Sequence, residues 1–228
     1  MDAQVPPRSV VEEAYNSLKK SLVEGVYRPG QRLRALRVAN ELKISRTPVK
    51  EALIRLEQEG LLRREQGTGF IVRGLSVREI LNLYRVREVL EVEAARQAFP
   101  RLTPAALTAM REALDDADAL LAEGRHPDFL RASRRFHDLI AAQTGNSVLQ
   151  EILANLGSRF WSIGTVVVSR HVQRATEIRG ENHAILNALS GGDLKTVERA
   201  VKAHVKGAAN AVRLFVESET QHLFIVAA

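Results

Sequence analysis

Three histidines, His137, His183 and His204, fall on three separate segments of helical period in this 228-residue chain. Neutral imidazoles suit Zn, Ni, Cu or Fe. In the stretch 127–143, Phe129, Ser133, Phe136, His137 and Ile140 share one face. In 193–217, Val197, Val201, His204, Ala208, Ala211 and Phe215 form an apolar stripe with His204 in its middle. His183, in 174–190, lies one turn after Arg179 and beside Leu186. A buried imidazole needs partners for its nitrogens. Three of them near inward faces point to a shared metal site, and each taken alone is equally a satisfied core residue, because periodicity does not show that helices converge. A second group, Ser45, Arg46, Thr47, Pro48 and Lys50, is polar and basic and opens a helix. Such residues meet base edges and phosphates when a helix N-terminus enters a major groove. An ordinary capped surface helix has the same start signal.

The elements that must position these groups can be read from apolar spacing. Stretch 10–23 is amphipathic, with Val10, Ala14, Leu18 and Leu22 in one row and Val11 and Tyr15 beside it. The segment Gly25-Val26-Tyr27-Arg28-Pro29-Gly30 is a turn by composition. A helix over 36–43 would turn Leu36, Ala39 and Leu42 inward. The next would bury Val49, Ala52, Leu53 and Leu56, with Ser45 or Thr47 as its cap and Pro48 in its first turn. Stretches 61–65 and 69–72 read as two short strands around Gln66-Gly67-Thr68-Gly69. Three helices and a basic hairpin make a winged helix-turn-helix, with Arg34, Thr68 and Gly69 as further candidates to contact nucleic acid. A boundary falls near Arg73-Gly74-Leu75, with Ser76 capping the next helix. Helices over 76–98, 104–123, 127–143, 147–170, 174–190 and 193–217 then form an all-α bundle, punctuated by Pro100, Pro104, Gly124, Pro127, Gly145, Gly191 and Gly192. The fold class is therefore mainly α: a winged helix-turn-helix over 8–75, a helical bundle over 76–218 and an apolar tail over 219–228.

Charge is divided in the same way. Residues 1–75 hold 14 Lys and Arg against 9 Asp and Glu, whereas residues 76–228 hold 19 against 18, out of a total formal charge of +6. The positive excess sits in the half that would face phosphates. The chain contains no cysteine, which excludes disulfides, thiolate ligands and a cysteine nucleophile. No apolar run reaches the ~18 residues of a membrane span, and the first residues lack the pattern of a signal peptide. A bacterial cytoplasmic location without membrane contact is the expectation.

Residues 10–73 resemble the DNA-binding domain of the GntR family of bacterial transcription regulators. The carrying features are Gly25 and Gly30 with Pro29, Leu33, Ala39 with Leu42, Ser45-Arg46-Thr47-Pro48-Val49, Glu51-Ala52-Leu53, Leu56, Gly60-Leu61, and Gly67 and Gly69 before Val72. Three positions depart from the family pattern. Ala35 stands where Glu is usual, Leu36 where a basic residue is common, and Lys50 where Arg is usual. Lysine keeps the charge and loses bidentate geometry.

Residues 76–218 resemble the FCD ligand-sensing domain of one branch of that family, in its smaller version. The carrying segments are Tyr84, Val86-Arg87, Leu90-Glu91, Phe136-His137, Leu139-Ile140, Gly145-Asn146, Glu181-Asn182-His183, Ile185-Leu186-Asn187-Ala188-Leu189, Gly192-Asp193, Ala200 and His204. The resemblance implies His137, His183 and His204 as ligands of a divalent ion, Zn or Ni. Ser133 stands where the family's metal-binding members carry Asp, so a formal charge is lost from the ligand set. It further implies a small organic acid as effector, and Arg87, Ser133 and Arg179 are its candidate contacts. Arg135, Arg159 and Arg170 are other possible carboxylate partners, each equally a surface arginine or half of an intrahelical pair such as Arg87 with Glu91.

The function expected is a ligand-responsive regulator, a repressor, that binds a double-stranded DNA operator as a homodimer. A metal-free constitutive regulator with structural histidines is one alternative, favoured by Ser133. A helical metalloenzyme with an accessory DNA-binding module is the other, and Glu181 and Asp138, which flank two of the histidines, would have to supply its base.

Overall fold

Val49, Ala52, Leu53 and Leu56 recur at helical spacing, and all four are fully buried along one side of α3 (Arg46–Gln58). They close on Ala14, Tyr15, Leu18 and Leu22 of α1 (Val10–Val23) and on Val38 and Ala39 of α2 (Ala35–Leu42). The structure, a computed structural model, describes residues 10–23, 26–65, 69–74 and 77–218. It divides into two compact units after residue 76.

In the first unit a three-stranded antiparallel sheet completes the helix core. Strands β1 (Arg32–Leu33), β2 (Leu62–Glu65) and β3 (Gly69–Val72) lie in the order β1-β3-β2. Leu62 pairs with Val72, and Leu33 pairs with Phe70. The expected hairpin is β2–β3, and β1 is an addition, since two residues are too short to show an alternating pattern. Gly69 has φ +107°, and a Cβ there would lie 2.7 Å from the Leu33 carbonyl oxygen. Only glycine lets β3 approach β1 so closely.

Two expectations about this unit are corrected. Leu36 is not inward but 61% exposed, and Val38 takes the buried place beside Ala39. The inward row of α2 is thus offset from the one that 36, 39 and 42 would define. Val10 is likewise half exposed at the start of α1, above the buried row of Ala14, Leu18 and Leu22. Ser45 does occupy the N-cap of α3 in extended conformation, but its side chain makes no capping hydrogen bond. The turn before it is made by Lys43 in the left-handed region, with φ 57°.

The second unit is all helical: α4 (Val77–Ala98), α5 (Pro104–Ala122), α6 (His126–Ala142), α7 (Ser147–Arg170), α8 (Gln173–Gly191) and α9 (Leu194–Ser218). Each begins and ends within two residues of the segment expected from periodicity and breakers. Local chemistry explains the ends. Thr103 Oγ1 accepts from the Ala106 amide 3.1 Å away, and Pro104 opens α5. Asn146 Oδ1 accepts from the Leu149 amide at 3.0 Å and caps α7. Gly124 and Gly145, both with positive φ, follow the C-terminal ends of α5 and α6. The cap at Ser76, the wing residues Gly67 and Thr68, and the tail 219–228 lie outside the described residues.

Packing of α4 on α9, and of α5 on α6 and α8, buries Phe136, Met110, Leu114, Ile185 and Val197 in a common core. Among the described residues no helix is long and apolar enough to cross a membrane. Because Leu53 is wholly enclosed, Leu53→Ala should cost the winged-helix unit about 3 kcal/mol, the usual scale for a large-to-small change in a close-packed core. Urea unfolding followed by hydrogen exchange at α1 and α3 amides checks this. A loss below about 1 kcal/mol would mean that the site collapses around the deletion.

Candidate functional site

The N-terminal end of α3 presents Arg46, Thr47 and Lys50 on the surface, with Ser45 exposed just before them and Pro48 half-buried. Val49 is buried directly between these positions, so the helix stands on its apolar row and offers its polar first turn outward. Arg34 is exposed at the start of α2, where Arg32, Leu36, Arg37 and Asn40 surround a shallow depression. The cations of this face differ in engagement. Arg32 pairs with Glu65 at 3.1 Å and Arg37 with Glu41 at 2.8 Å. Among the described residues no ion pair ties up Arg34, Arg46 or Lys50. These charges lie beside the positive end of the α3 dipole and are available to an anion. Gly69 opens β3, and Thr68 lies outside the described residues.

In the helical unit a cavity of about 130 Å³ lies among α4, α6, α7, α8 and α9. Tyr84, Arg87 and Glu91 line it from α4, Ser133 and His137 from α6, Phe160 and Trp161 from α7, Asn182 from α8 and His204 from α9. Arg87 links several of these groups. Its Nε donates to Glu91 Oε1 at 2.5 Å, and its Nη2 donates to His204 Nε2 at 3.0 Å. Its guanidinium carbon lies 4.8 Å from the Phe160 ring centroid and 5.7 Å from that of Tyr84, within cation–π range.

A guanidinium can only donate, so His204 Nε2 must accept and the ring proton resides on Nδ1. That nitrogen donates to Glu181 Oε2 at 2.9 Å. Glu181 in turn accepts from both terminal nitrogens of buried Arg174, at 2.6 and 2.8 Å. Gly207 makes room for this pair, since a Cβ there would collide with Glu181 Oε1. His137 stacks on His204 with ring centroids 4.8 Å apart. Its Nε2 is 3.2 Å from Asn182 Oδ1 and its Nδ1 is 3.7 Å from Glu91 Oε2.

Burial pushes both imidazoles below their ordinary pKa, and Arg87 pushes them the same way. They are therefore neutral. Burial alone would raise Glu91, but the adjacent guanidinium, with smaller contributions from the two imidazoles, outweighs it and holds the carboxyl below the usual carboxylate range. Glu181 is raised by burial, against the pull of Arg174. Three buried polar atoms of residues that line the cavity have no hydrogen-bond partner: Glu91 Oε2, Ser133 Oγ and Asn182 Nδ2.

The residues expected from the sequence distribute unevenly. His137, His204, Arg87 and Ser133 meet at the cavity, whereas His183 and Arg179 do not line it. His183 Nε2 lies 3.0 Å from Asp118 Oδ2, and Arg179 Nε is 2.8 Å from the same oxygen. The reason is the phase of α8. Its buried stripe runs Asn182, Ile185, Leu186 and Leu189, so His183 is turned aside by one residue, about 100° around the helix. Counting back from Ile185 and Leu189 would have found Asn182. Glu91 was visible only as an intrahelical partner of Arg87. Nothing in the sequence marked Arg174 with Glu181 as a buried pair. Arg135 pairs loosely with Asp116 at 3.7 Å, outside the cavity, and neither Arg159 nor Arg170 lines it.

Among the described residues one group has the proximity to hold a metal ion: Glu91, His137 and His204, each with one donor atom within 4.8 Å of the others. Two imidazoles and a carboxylate are suitable ligands for Zn or Ni. The arrangement around them does not fit such an ion. Arg87 already donates to Glu91 Oε1 and to His204 Nε2; Glu91 keeps its second oxygen, but an ion drawing on His204 would have to take that ring's one lone pair from the guanidinium.

Comparison with known proteins agrees with both halves of the chain. Residues 10–72 match the family described as bacterial regulatory proteins, gntR family, and residues 82–207 match the FCD domain. The HTH-type transcriptional regulator YdhC of Bacillus subtilis (strain 168) is 27% identical over 143 residues, which are 62% of this chain and 64% of YdhC. The chain thus spans just under two thirds of that relative's length. The HTH-type transcriptional repressor RspR of Escherichia coli (strain K12) is 24% identical over 208 residues, 91% of each chain. Among solved structures, E. coli McbR/YncC matches with a TM-score of 0.75 and 25% identity, covering 93% of this chain and all of that one. The names of these relatives are those of transcription regulators. The chain belongs to the gntR family of bacterial DNA-binding transcription regulators, with an FCD domain following its winged helix.

Proposed function

We propose that this protein represses transcription as a homodimer whose two winged helices bind the half-sites of an operator, and that its helical unit adjusts that binding in response to a small organic acid. The observation that carries the reading is the pairing of two independent sites in one chain. One is an exposed helix start whose Arg46 and Lys50 have no ion-pair partner among the described residues. The other is a partly open cavity whose lining includes Glu91, Ser133 and Asn182, each with an unpartnered buried polar atom.

On this reading Arg46, Thr47 and Lys50 contact bases and nearby phosphates, with Ser45 and Pro48 setting the helix start and Arg34 on the flanking backbone. The wing, Thr68 and Gly69, approaches the groove beside it. Two such units on a two-fold axis require a pseudo-palindromic operator. The name of RspR supports repression. A regulator of this kind works where the chromosome is, in the bacterial cytoplasm. In the helical unit, Asn182 Nδ2 and Ser133 Oγ supply donors to a carboxylate, and Arg87 keeps N–H groups beyond the two it gives to Glu91 and His204. The aromatic wall of Phe160 and Trp161 faces the ligand's carbon body. Zn or Ni takes no part, because Arg87 engages Glu91 and His204.

Arg46→Ala should weaken specific operator binding by about 1–3 kcal/mol, the worth of a good base contact, with the helical unit intact. Fluorescence anisotropy on the native operator tests this, and unchanged affinity would remove Arg46 from the interface. For the pocket, a panel of two- to six-carbon acids should include members that raise the thermal midpoint of the wild type, since a ligand bound only by the folded state stabilises it. Ser133→Leu, which fills the cavity with a branched apolar group, should abolish that shift while leaving operator affinity unaltered. A shift that survives in Ser133→Leu would place the ligand elsewhere.

A further inference from the structure

We propose that Arg87 occupies the place of a metal cation in the helical unit, so that the pocket is metal-free by construction and reads its ligand through hydrogen bonds. The inference rests on the pocket assignment above and names its chemistry.

Glu91 Oε1 and His204 Nε2 come from separate helices and converge on one positive centre, and that centre is the Arg87 guanidinium. The apparatus that aims His204 is complete. Glu181 accepts from Nδ1, Arg174 grips Glu181 with two nitrogens, and Gly207 leaves the space in which they meet. An outer carboxylate that fixes an imidazole's tautomer is the arrangement that orients a metal ligand. Here the lone pair so oriented is taken by a guanidinium.

Charge balance points the same way. Glu91 is the one carboxylate among the three candidate ligands, and Arg87 is ion-paired with it. A divalent ion added beside Arg87 would leave the site with two uncompensated charges. One that displaced Arg87 would strand a buried guanidinium without its carboxylate, which is strongly unfavourable. The Phe160 and Tyr84 rings lie within cation–π range of the same guanidinium. Ser133 offers only a neutral oxygen, so no second carboxylate is present there to offset an ion's charge. The three unpartnered atoms also describe a molecule rather than an ion. Glu91 Oε2 needs a donor, Asn182 Nδ2 needs an acceptor, and Ser133 Oγ can be either. The ligand that satisfies them presents a donor and an acceptor on one end and an apolar body towards Phe160 and Trp161.

The test is the metal content of the full, untagged chain after incubation with excess zinc or nickel chloride and removal of free ion by gel filtration. Wild type should retain no stoichiometric metal and give no saturable heat in zinc titration calorimetry. Arg87→Met, which keeps the stem and removes the cation, should bind close to one ion per chain and lose it again when His204→Ala is added. Stoichiometric metal in the wild type, removed by His137→Ala, overturns the proposal. So does an Arg87→Met chain that folds and remains metal-free, since Arg87 would then not be what excludes the ion. If that variant does not fold, Arg87→Gln takes its place, and the wild-type titration decides the metal-free state without either. Operator binding measured on the same samples separates the two readings. A chain that binds both operator and metal refutes this inference alone, whereas one that binds no operator refutes the regulator.

Discussion

A guanidinium largely withdrawn from water into a helical bundle must have most of its charge met by the bundle itself. Arg87 meets this constraint with a carboxylate one turn along its own helix and an imidazole from α9. That choice constrains its neighbours in turn. His204 must present a lone pair, so its proton must lie on the far nitrogen. Something must accept that proton, and Glu181 does. Glu181 must itself be held, and Arg174 holds it. Helices α4, α8 and α9 are thus joined by a chain of donors and acceptors in which each partner dictates the next. Buried ion pairs of this kind are poor sources of net stability. Their effect here is to leave the polar groups of the cavity one geometry.

The winged-helix unit solves a different problem. Its core is apolar and closed by Tyr15, Leu18, Leu53, Leu56 and Phe70, and several of its cations are committed to local carboxylates. Arg55 reaches Glu12 at 2.7 Å and Arg64 reaches Glu57 at 2.8 Å. These pairs steady the surface between α1, α3 and β2. The start of α3 is left without such partners among the described residues. The unit therefore discriminates within its own basic surface, keeping a few positive groups uncommitted where the helix dipole adds to them.

The helices of both units were legible in the sequence because they are bounded by strong breakers and carry clear apolar rows. The two-residue strand β1 was not, since pairing with β3 through Leu33 and Phe70 is a tertiary event. At the site, His137 and His204 were legible for the same reason as the helices: each interrupts an apolar face. His183 misled because residue type drew attention one position away from the buried stripe, and Asn182, chemically less conspicuous, holds the inward place. The partnership of Arg174 and Glu181 was illegible. Two charged residues seven apart on one helix look like ordinary surface, and only the missing side chain of Gly207 on another helix turns them inward.

That last contact ties two positions on different helices into one unit of inheritance. A side chain at 207 would push the Glu181 carboxylate from its present place, and that carboxylate accepts from the ring at 204. Substitutions at 181 and 207 will therefore be coupled in order: a lineage in which 207 gains a side chain first must move the partner of His204, whereas one in which 181 shortens first has room at 207.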